Sequence, residues 1–281
     1  MILYYCMGGG FGHITRFTAF CRQHRIRPAL ITNCEQVISG KIAVDAERIL
    51  MPDTKHTASK ESLMTWVGEA ISSCRPEKLL VDAFPGGVLG ELCSLDQLQN
   101  IECEYLARIL DIPTYQKRLS GNLPKFSKIH RLEKLSNDHE NWLENRQAPI
   151  ENTDLHYDSG QLRKPQLPAN CWLIIHSGNN DELEQLWLFA RQTADIEMAT
   201  AEFAMVSPGQ RPDFLPPEVA HFDIYPADAL FQQASRVFSA AGFNIMKQMQ
   251  QCPTKHHVLP MPRVLDDQFL RHRFWLESSA E

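Results

Sequence analysis

The run Gly8-Gly9-Gly10-Phe11-Gly12-His13 places a titratable imidazole directly after a stretch of glycines. Glycines let a backbone approach a ligand closely, and an imidazole that titrates near neutrality suits general-base work. A bare glycine run serves equally well as a tight turn; His13 moves the reading toward chemistry. The spacing is not the dinucleotide fingerprint, whose third glycine would fall at position 13, and no Gly-Lys-Ser/Thr follows for a P-loop. A second turn, Asp82-Ala83-Phe84-Pro85-Gly86-Gly87, follows an apolar run. Asp82 either orients a substrate hydroxyl or caps a helix starting near Gly87, in which case Glu91 is a favourable first-turn charge. In the second half, Ser177-Gly178-Asn179-Asn180 could wrap a diphosphate, although Asp181 and Glu182 beside it suit an ordinary helix start. Ser239-Ala240-Ala241-Gly242-Phe243-Asn244 is another turn of small residues. Asp266-Asp267-Gln268, with Arg271, either caps a terminal helix or receives sugar hydroxyls.

These turns need elements to position them. Strands are expected at Ile2–Cys6, Pro28–Thr32, Arg48–Met51, Lys78–Phe84, Glu104–Leu110 and His130–Leu135. Helices are expected at His13–His24, Lys60–Cys74, Gly87–Gln99 and Asn137–Asn145. After a loose stretch rich in glycine and proline, alternation resumes. Strands are expected at Trp172–His176, Phe203–Val206, His221–Tyr225, Arg236–Ser239 and His257–Leu259, with helices at Asp181–Thr193, Ala227–Gln233 and Phe243–Gln250. Strands separated by helical patterns indicate parallel sheets covered on both faces. The expected fold class is therefore α/β, with two Rossmann-like domains flanking a cleft. Their expected bounds are 1–157 and 171–281, joined by a linker at 158–170 that holds Gly160, Pro165 and Pro168.

Composition narrows the classes. The 281 residues carry 28 Lys+Arg against 34 Asp+Glu, with 43% hydrophobic residues, as an ordinary globular chain does. Residues 1–150 hold 18 basic and 17 acidic side chains, and residues 151–281 hold 10 and 17. Neither half has the clustered basic excess of a nucleic-acid footprint. No stretch approaches the roughly 20 apolar residues of a membrane span. Arg22, Arg25 and Arg27 leave a peripheral contact with acidic lipid open, although such a group is usually only solvated. The eight cysteines contain no CxxC pair and read as reduced core residues of a cytoplasmic protein. The adjacent His256 and His257 would point to opposite faces of a strand, which makes a poor metal site.

Together the turns resemble the two-domain nucleotide-sugar glycosyltransferases of the GT-B fold, near the branch of the bacterial lipid-intermediate N-acetylglucosaminyltransferase. The matching segments are GGGFGHITR (8–16), VDAFPGGVLGEL (81–92), SAAGFNIMKQM (239–249) and PRVLDDQFLR (262–271), in the family's order. The resemblance implies transfer of a sugar from a nucleotide-sugar, a UDP-sugar by expectation, to an unidentified acceptor such as a saccharide, a lipid-linked sugar or a small molecule. It makes His13 the base, with Gly9, Gly10, Gly12 and Asp82 on the acceptor side. Ser177 and Gly178 would contact phosphate, Ser239, Gly242 and Asn244 the donor diphosphate, and Asp267 and Gln268 the donor sugar. Gln248 stands where the family often has an acid for the ribose, and Ile245 where a small or hydroxyl residue is usual. No metal or cofactor is implied, because helix N-termini and main-chain donors would meet the leaving diphosphate. Two other readings remain, a nucleotide-sugar epimerase on the same fold and a non-catalytic nucleotide-sugar-binding or regulatory protein.

Overall fold

Short strands rich in Leu, Ile, Val and Tyr, buried on both faces, dictate parallel sheets flanked by helices. A computed structural model describes residues 1–8, 10–157 and 165–279. The first sheet contains β1 (Ile2–Cys6), β2 (Ala29–Thr32), β3 (Arg48–Leu50), β4 (Lys78–Asp82), β5 (Glu102–Ala107), β6 (Phe126–Arg131) and β7 (Ile150–Asn152). Its order is β3-β2-β1-β4-β5-β6-β7, and the pairings are parallel. The second contains β8 (Cys171–Ile175), β9 (Glu202–Val206), β10 (Ala220–Phe222), β11 (Arg236–Ser239) and β12 (His256–Val258). Its order is β10-β9-β8-β11-β12, again parallel. The helices of the first half are α1 (Gly12–His24), α2 (Glu35–Ile38), α3 (Lys60–Cys74), α4 (Ile112–Gln116) and α5 (Asn137–Glu144). Those of the second are α6 (Asn180–Ile196), α7 (Ala229–Gln233), α8 (Phe243–Gln248) and α9 (Gln268–Ser279).

The fold class is thus α/β with two parallel, Rossmann-like sheets. In each sheet the strand order reverses beside the first strand, at β1/β4 and at β8/β11. Ligands of open α/β sheets gather outside the carboxyl ends of strands at such reversals.

The chain divides into two units, Met1–His156 with Arg263–Asp267, and Tyr157–Pro262 with Gln268–Glu281. The stretch Arg263–Asp267 therefore lies with the first unit, where the sequence placed it in the second. Its anchors are the Asp111 N–H donating to the Leu265 carbonyl at 2.9 Å, and the Arg108–Asp266 ion pair at 2.7 Å. Residues 158–164 of the expected linker lie outside the described residues, as does Gly9.

In the first unit, α1 packs Ile14, Phe17, Phe20 and Cys21 onto the sheet, with Tyr4 edge-on to Phe17 at 5.0 Å. In the second, Trp172, Trp187 and Phe238 centre one core cluster, with Phe189 packed against it. These aromatics are core. All eight cysteines are free thiols, seven of them buried. Among the described residues no helix is long and apolar enough to cross a membrane.

Two expected elements differ. The strand placed at His130–Leu135 starts earlier, at Phe126, and ends at Arg131. The helix expected over Gly87–Gln99 does not form; turns replace it, with a short 3-10 segment at Asp96–Leu98. Gly87 and Gly90 have φ of +87° and +85°, and Ser94 +54°, none compatible with an α-helix. The apolar periodicity there reflects a loop that buries Leu92, Cys93, Leu95 and Leu98 while Ser94, Asp96 and Gln97 stay exposed.

Candidate functional site

In the first unit the carboxyl ends of β1 and β4 are neighbours, with Tyr5 opposite Val81. The chain leaves β1 through the glycine run and enters α1, whose residues 13 and 16 share one face. Asp82 closes β4. Those three constraints bring His13, Arg16 and Asp82 together, 5%, 2% and 0% exposed. His13 Nδ1 lies 3.2 Å from Asp82 Oδ2, and Arg16 Nε donates to Asp82 Oδ1 at 2.9 Å. Arg16 Nη2 stands 3.1 Å from the same His13 Nδ1.

Burial alone would raise the Asp82 pKa, but the Arg16 guanidinium and then His13 outweigh it and hold it at about 2. Burial lowers the His13 pKa; Asp82 pulls it back up, and Arg16 opposes that pull. The net direction for His13 is downward, which favours the neutral imidazole beside the Asp82 carboxylate. Phe84 stacks on the ring at 5.7 Å between centroids. The other nitrogen faces the glycine run: a Cβ at Gly8 would sit 2.3 Å from His13 Nε2, and Gly8 has φ of +150°. Only glycine at position 8 leaves room for the His13 ring.

Cys6, His13 and Asp82 also bring one sulfur, one nitrogen and one oxygen within 4.8 Å. The donor set fits a cation poorly. Burial pushes the Cys6 thiol well up, away from thiolate, and the Arg16 guanidinium already stands against both other groups.

Asp82 thus meets His13 and Arg16, and it is not a helix cap, since the helix expected near Gly87 does not form. Glu91 is likewise no first-turn charge. It is fully buried, takes the Tyr5 hydroxyl as a donor, and accepts the Val88 and Leu89 N–H groups at 3.2 and 2.8 Å. Burial raises its pKa. The Glu91 carboxylate packs against Gly87, where an added Cβ would lie 2.4 Å from it. Tyr115 hydroxyl completes the frame, accepting from Gly86 N–H at 2.9 Å and donating to Gly87 carbonyl at 2.7 Å. Gly10 is exposed with φ of +78°, and Gly12 begins α1.

In the second unit the expected donor residues lie around the β8 and β11 ends. Ser177 and Gly178 are exposed. Asn179 caps α6 by accepting the Glu182 N–H at 2.9 Å, and the Glu182 carboxylate meets His176 Nε2 at 2.6 Å directly over Gly178. Ser239 is buried; its hydroxyl donates to the Ala240 carbonyl at 3.0 Å and lies 2.8 Å from His256 Nε2. Gly242 caps α8, which has no acid in its first turn, and Asn244 Oδ1 accepts from the Tyr157 hydroxyl at 2.8 Å. Gln248 is half-buried at the end of α8.

The Asp267–Gln268 pair is divided between units. Asp267 is exposed in the first, while Gln268, in the second, is buried and accepts Met261 N–H at 3.0 Å. Arg271 is buried and donates from Nη1 to the Ala241 carbonyl at 2.9 Å, bringing a cation to the β11–α8 turn.

Sequence reading missed Arg16 altogether. Its signal was the three-residue spacing from His13 on a helix whose other face is polar. For Glu91 no local signal existed, since its partners include Tyr5, 86 positions away.

No family model matches the chain, and no curated protein matches it. Solved structures do. The glycotransferase of kitacinnamycin superposes with a TM-score of 0.65 at 14% identity, covering 99% of this chain and 84% of that one. Spinosyn forosaminyltransferase gives 0.63 at 13%, covering 98% and 83%. The UDP-GlcNAc 2-epimerase from Neisseria meningitidis, bound to UDP-GlcNAc, gives 0.60 at 11%, covering 99% and 85%. These likenesses show a fold shared with GT-B glycosyltransferases and with UDP-GlcNAc 2-epimerases.

Proposed function

We propose that this chain is a glycosyltransferase that moves a sugar from a nucleotide-sugar, a UDP-sugar in the first instance, to a hydroxyl-bearing acceptor. The observation that carries this reading is the His13–Asp82 pair at the β1/β4 reversal, with the imidazole seated against Gly8, where only glycine leaves it room. With the ring proton on Nδ1 donated to Asp82 Oδ2, Nε2 is free to accept a proton. The acceptor hydroxyl gives that proton to Nε2 as its oxygen bonds to the donor's anomeric carbon. The bond from that carbon to the phosphate oxygen breaks, and the nucleoside diphosphate leaves with the electron pair. A base positioned in this way contributes about 10²–10⁴-fold.

For the diphosphate, the 239–244 turn suits an anion better than the 177–178 turn does. It lacks first-turn acids and has Arg271 on the Ala241 carbonyl, whereas the Glu182 carboxylate sits over Gly178. In this reading Gly242 and the main-chain N–H groups near it, with Arg271, meet the leaving charge, and no metal is required. Ser239 supports the turn from inside, and Gln248, Asp267 and Gln268 keep the donor-side roles that the family resemblance implies. The placement nearest the lipid-intermediate branch rests on the four sequence segments alone.

The test is turnover of a UDP-sugar panel with acceptor mixtures, alongside thermal shift with UDP. UDP stabilisation and His13-dependent transfer are the expected results. Absence of nucleoside-diphosphate binding sinks the proposal. A second reading, a nucleotide-sugar 2-epimerase, is favoured by the epimerase superposition over 99% of the chain. Product analysis with donor alone separates the two, since an epimerase needs no acceptor. Binding without turnover of either kind would point to a regulatory protein.

A further inference from the structure

Arg16 is a buried cation that contacts both members of the pair. The groups that face His13 come from four elements: Asp82 from β4, Arg16 from α1 itself, Arg108 beyond β5, and Cys6 from β1. Burial pushes the Cys6 thiol well up, so it is uncharged there. Among the described residues Asp82 favours a charged ring, while Arg16 and, more weakly, Arg108, itself paired with Asp266, oppose it. We propose that Arg16 is a positioning residue that sets the protonation of His13, by fixing Asp82 through Oδ1 and by opposing a second proton on the imidazole.

The geometry divides the two tasks. Arg16 Nε takes Asp82 Oδ1 at 2.9 Å, which leaves Oδ2 to receive the Nδ1 proton of His13 at 3.2 Å. In this assignment the Nδ1 proton points to Oδ2 and Nε2 is bare, the form a base needs, whereas Arg16 Nη2 donating to Nδ1 would place the ring proton on Nε2. Arg16 Nη2, 3.1 Å from Nδ1, then faces a ring that is costly to charge. Without Arg16, the whole Asp82 charge would act on the ring and stabilise imidazolium, so that His13 would be protonated, and useless as a base, over more of the neutral range. Arg16 thus exchanges strength of the base for its availability. The burial of His13 works in the same direction.

The inference rests on the functional reading only for its use in catalysis, and its test needs no substrate. Protein labelled with ¹³C and ¹⁵N at histidine, with His13 assigned by its loss in His13→Gln, reports both tautomer and titration by NMR. The expected wild-type result is a neutral ring at pH 7, its proton on Nδ1, titrating below the ordinary value of 6.5. Arg16→Gln should raise that titration by about one pH unit or more. Arg16→Lys, which keeps the charge, should raise it by less. A resting proton on Nε2, or titration above 6.5, overturns the proposal from wild-type protein alone, whether or not the variants fold. A folded Arg16→Gln protein with unchanged titration overturns it too. If no nucleotide-sugar is turned over while His13 titrates as expected, the functional reading fails and the role of Arg16 stands.

Discussion

The reversal points of the two sheets are built from the same topology but handle polarity in opposite ways. At β1/β4, a histidine, an arginine and an aspartate are buried against one another, and their charges act on a single imidazole. At β8/β11, polar side chains are used locally. Asn179 caps α6, Ser239 bonds with Ala240 and His256, and Gln268 holds Met261 N–H. The 239–244 turn also presents main chain and small residues, with the buried Arg271 guanidinium donating to its Ala241 carbonyl. The first arrangement suits proton transfer, which needs a tuned pKa. The second suits recognition of an anion, which needs donors and space. Parallel-sheet topology supplies two crevices; the residues at strand ends decide what each can do.

The contrast can be broken experimentally, most strongly at the first crevice. His13→Ala should lower sugar transfer by about 10²–10⁴-fold while UDP still raises the melting temperature, because only the proton acceptor is lost. Retained turnover would remove the first crevice from the chemistry. Asp82→Asn leaves Arg16 buried without its carboxylate, so urea denaturation should show a loss of about 3–5 kcal/mol, beyond the effect on rate. An unchanged midpoint would mean that the pair carries little of the stability of this unit.

Acid should then affect both units through their buried histidines. Burial lowers His139 in the first unit to about 3 and His256 in the second to about 4, against an ordinary 6.5. The unfolded chain therefore binds these protons first, and stability present above pH 6.5 is lost as pH falls toward 4. The Asp82 contribution survives that window and disappears only below 3.8, as pH falls toward about 2. Urea midpoints at pH 7, 5.5 and 4.5 should decline in order; a flat profile would contradict buried neutral histidines. The smallest effect is expected at Ser239→Ala, about 0.5–1.5 kcal/mol of stability with UDP affinity nearly unchanged, read by denaturation and calorimetry. A tenfold weaker UDP affinity would instead return the hydroxyl to the ligand.

Much of this architecture was legible in the sequence. The apolar runs at Ile2–Cys6 and Arg236–Ser239 are strands, and the periodicity of Lys60–Cys74 is a helix with those bounds. His13 and Asp82 were also visible, the one after a glycine run and the other at the end of an apolar run. What was illegible is the segment after Asp82. Its apolar spacing imitates a helix, but left-handed glycines and the buried Glu91 carboxylate fold it into turns. The Asp266-Asp267-Gln268 run hid its division too, since nothing local shows that Asp266 pairs with Arg108, 158 positions away.

By itself, then, the sequence determined the parallel α/β class, the glycine turns at strand ends and the presence of a titratable group beside them. Those follow from local propensity and hydrophobic pattern, which act over a few residues. The tertiary structure decided that Asp82 orients His13, that Arg16 stands against both, and that Ser239 turns inward. Each depends on pairings between distant strands, and on burial, which makes one cation 3 Å away matter far more than it would in water.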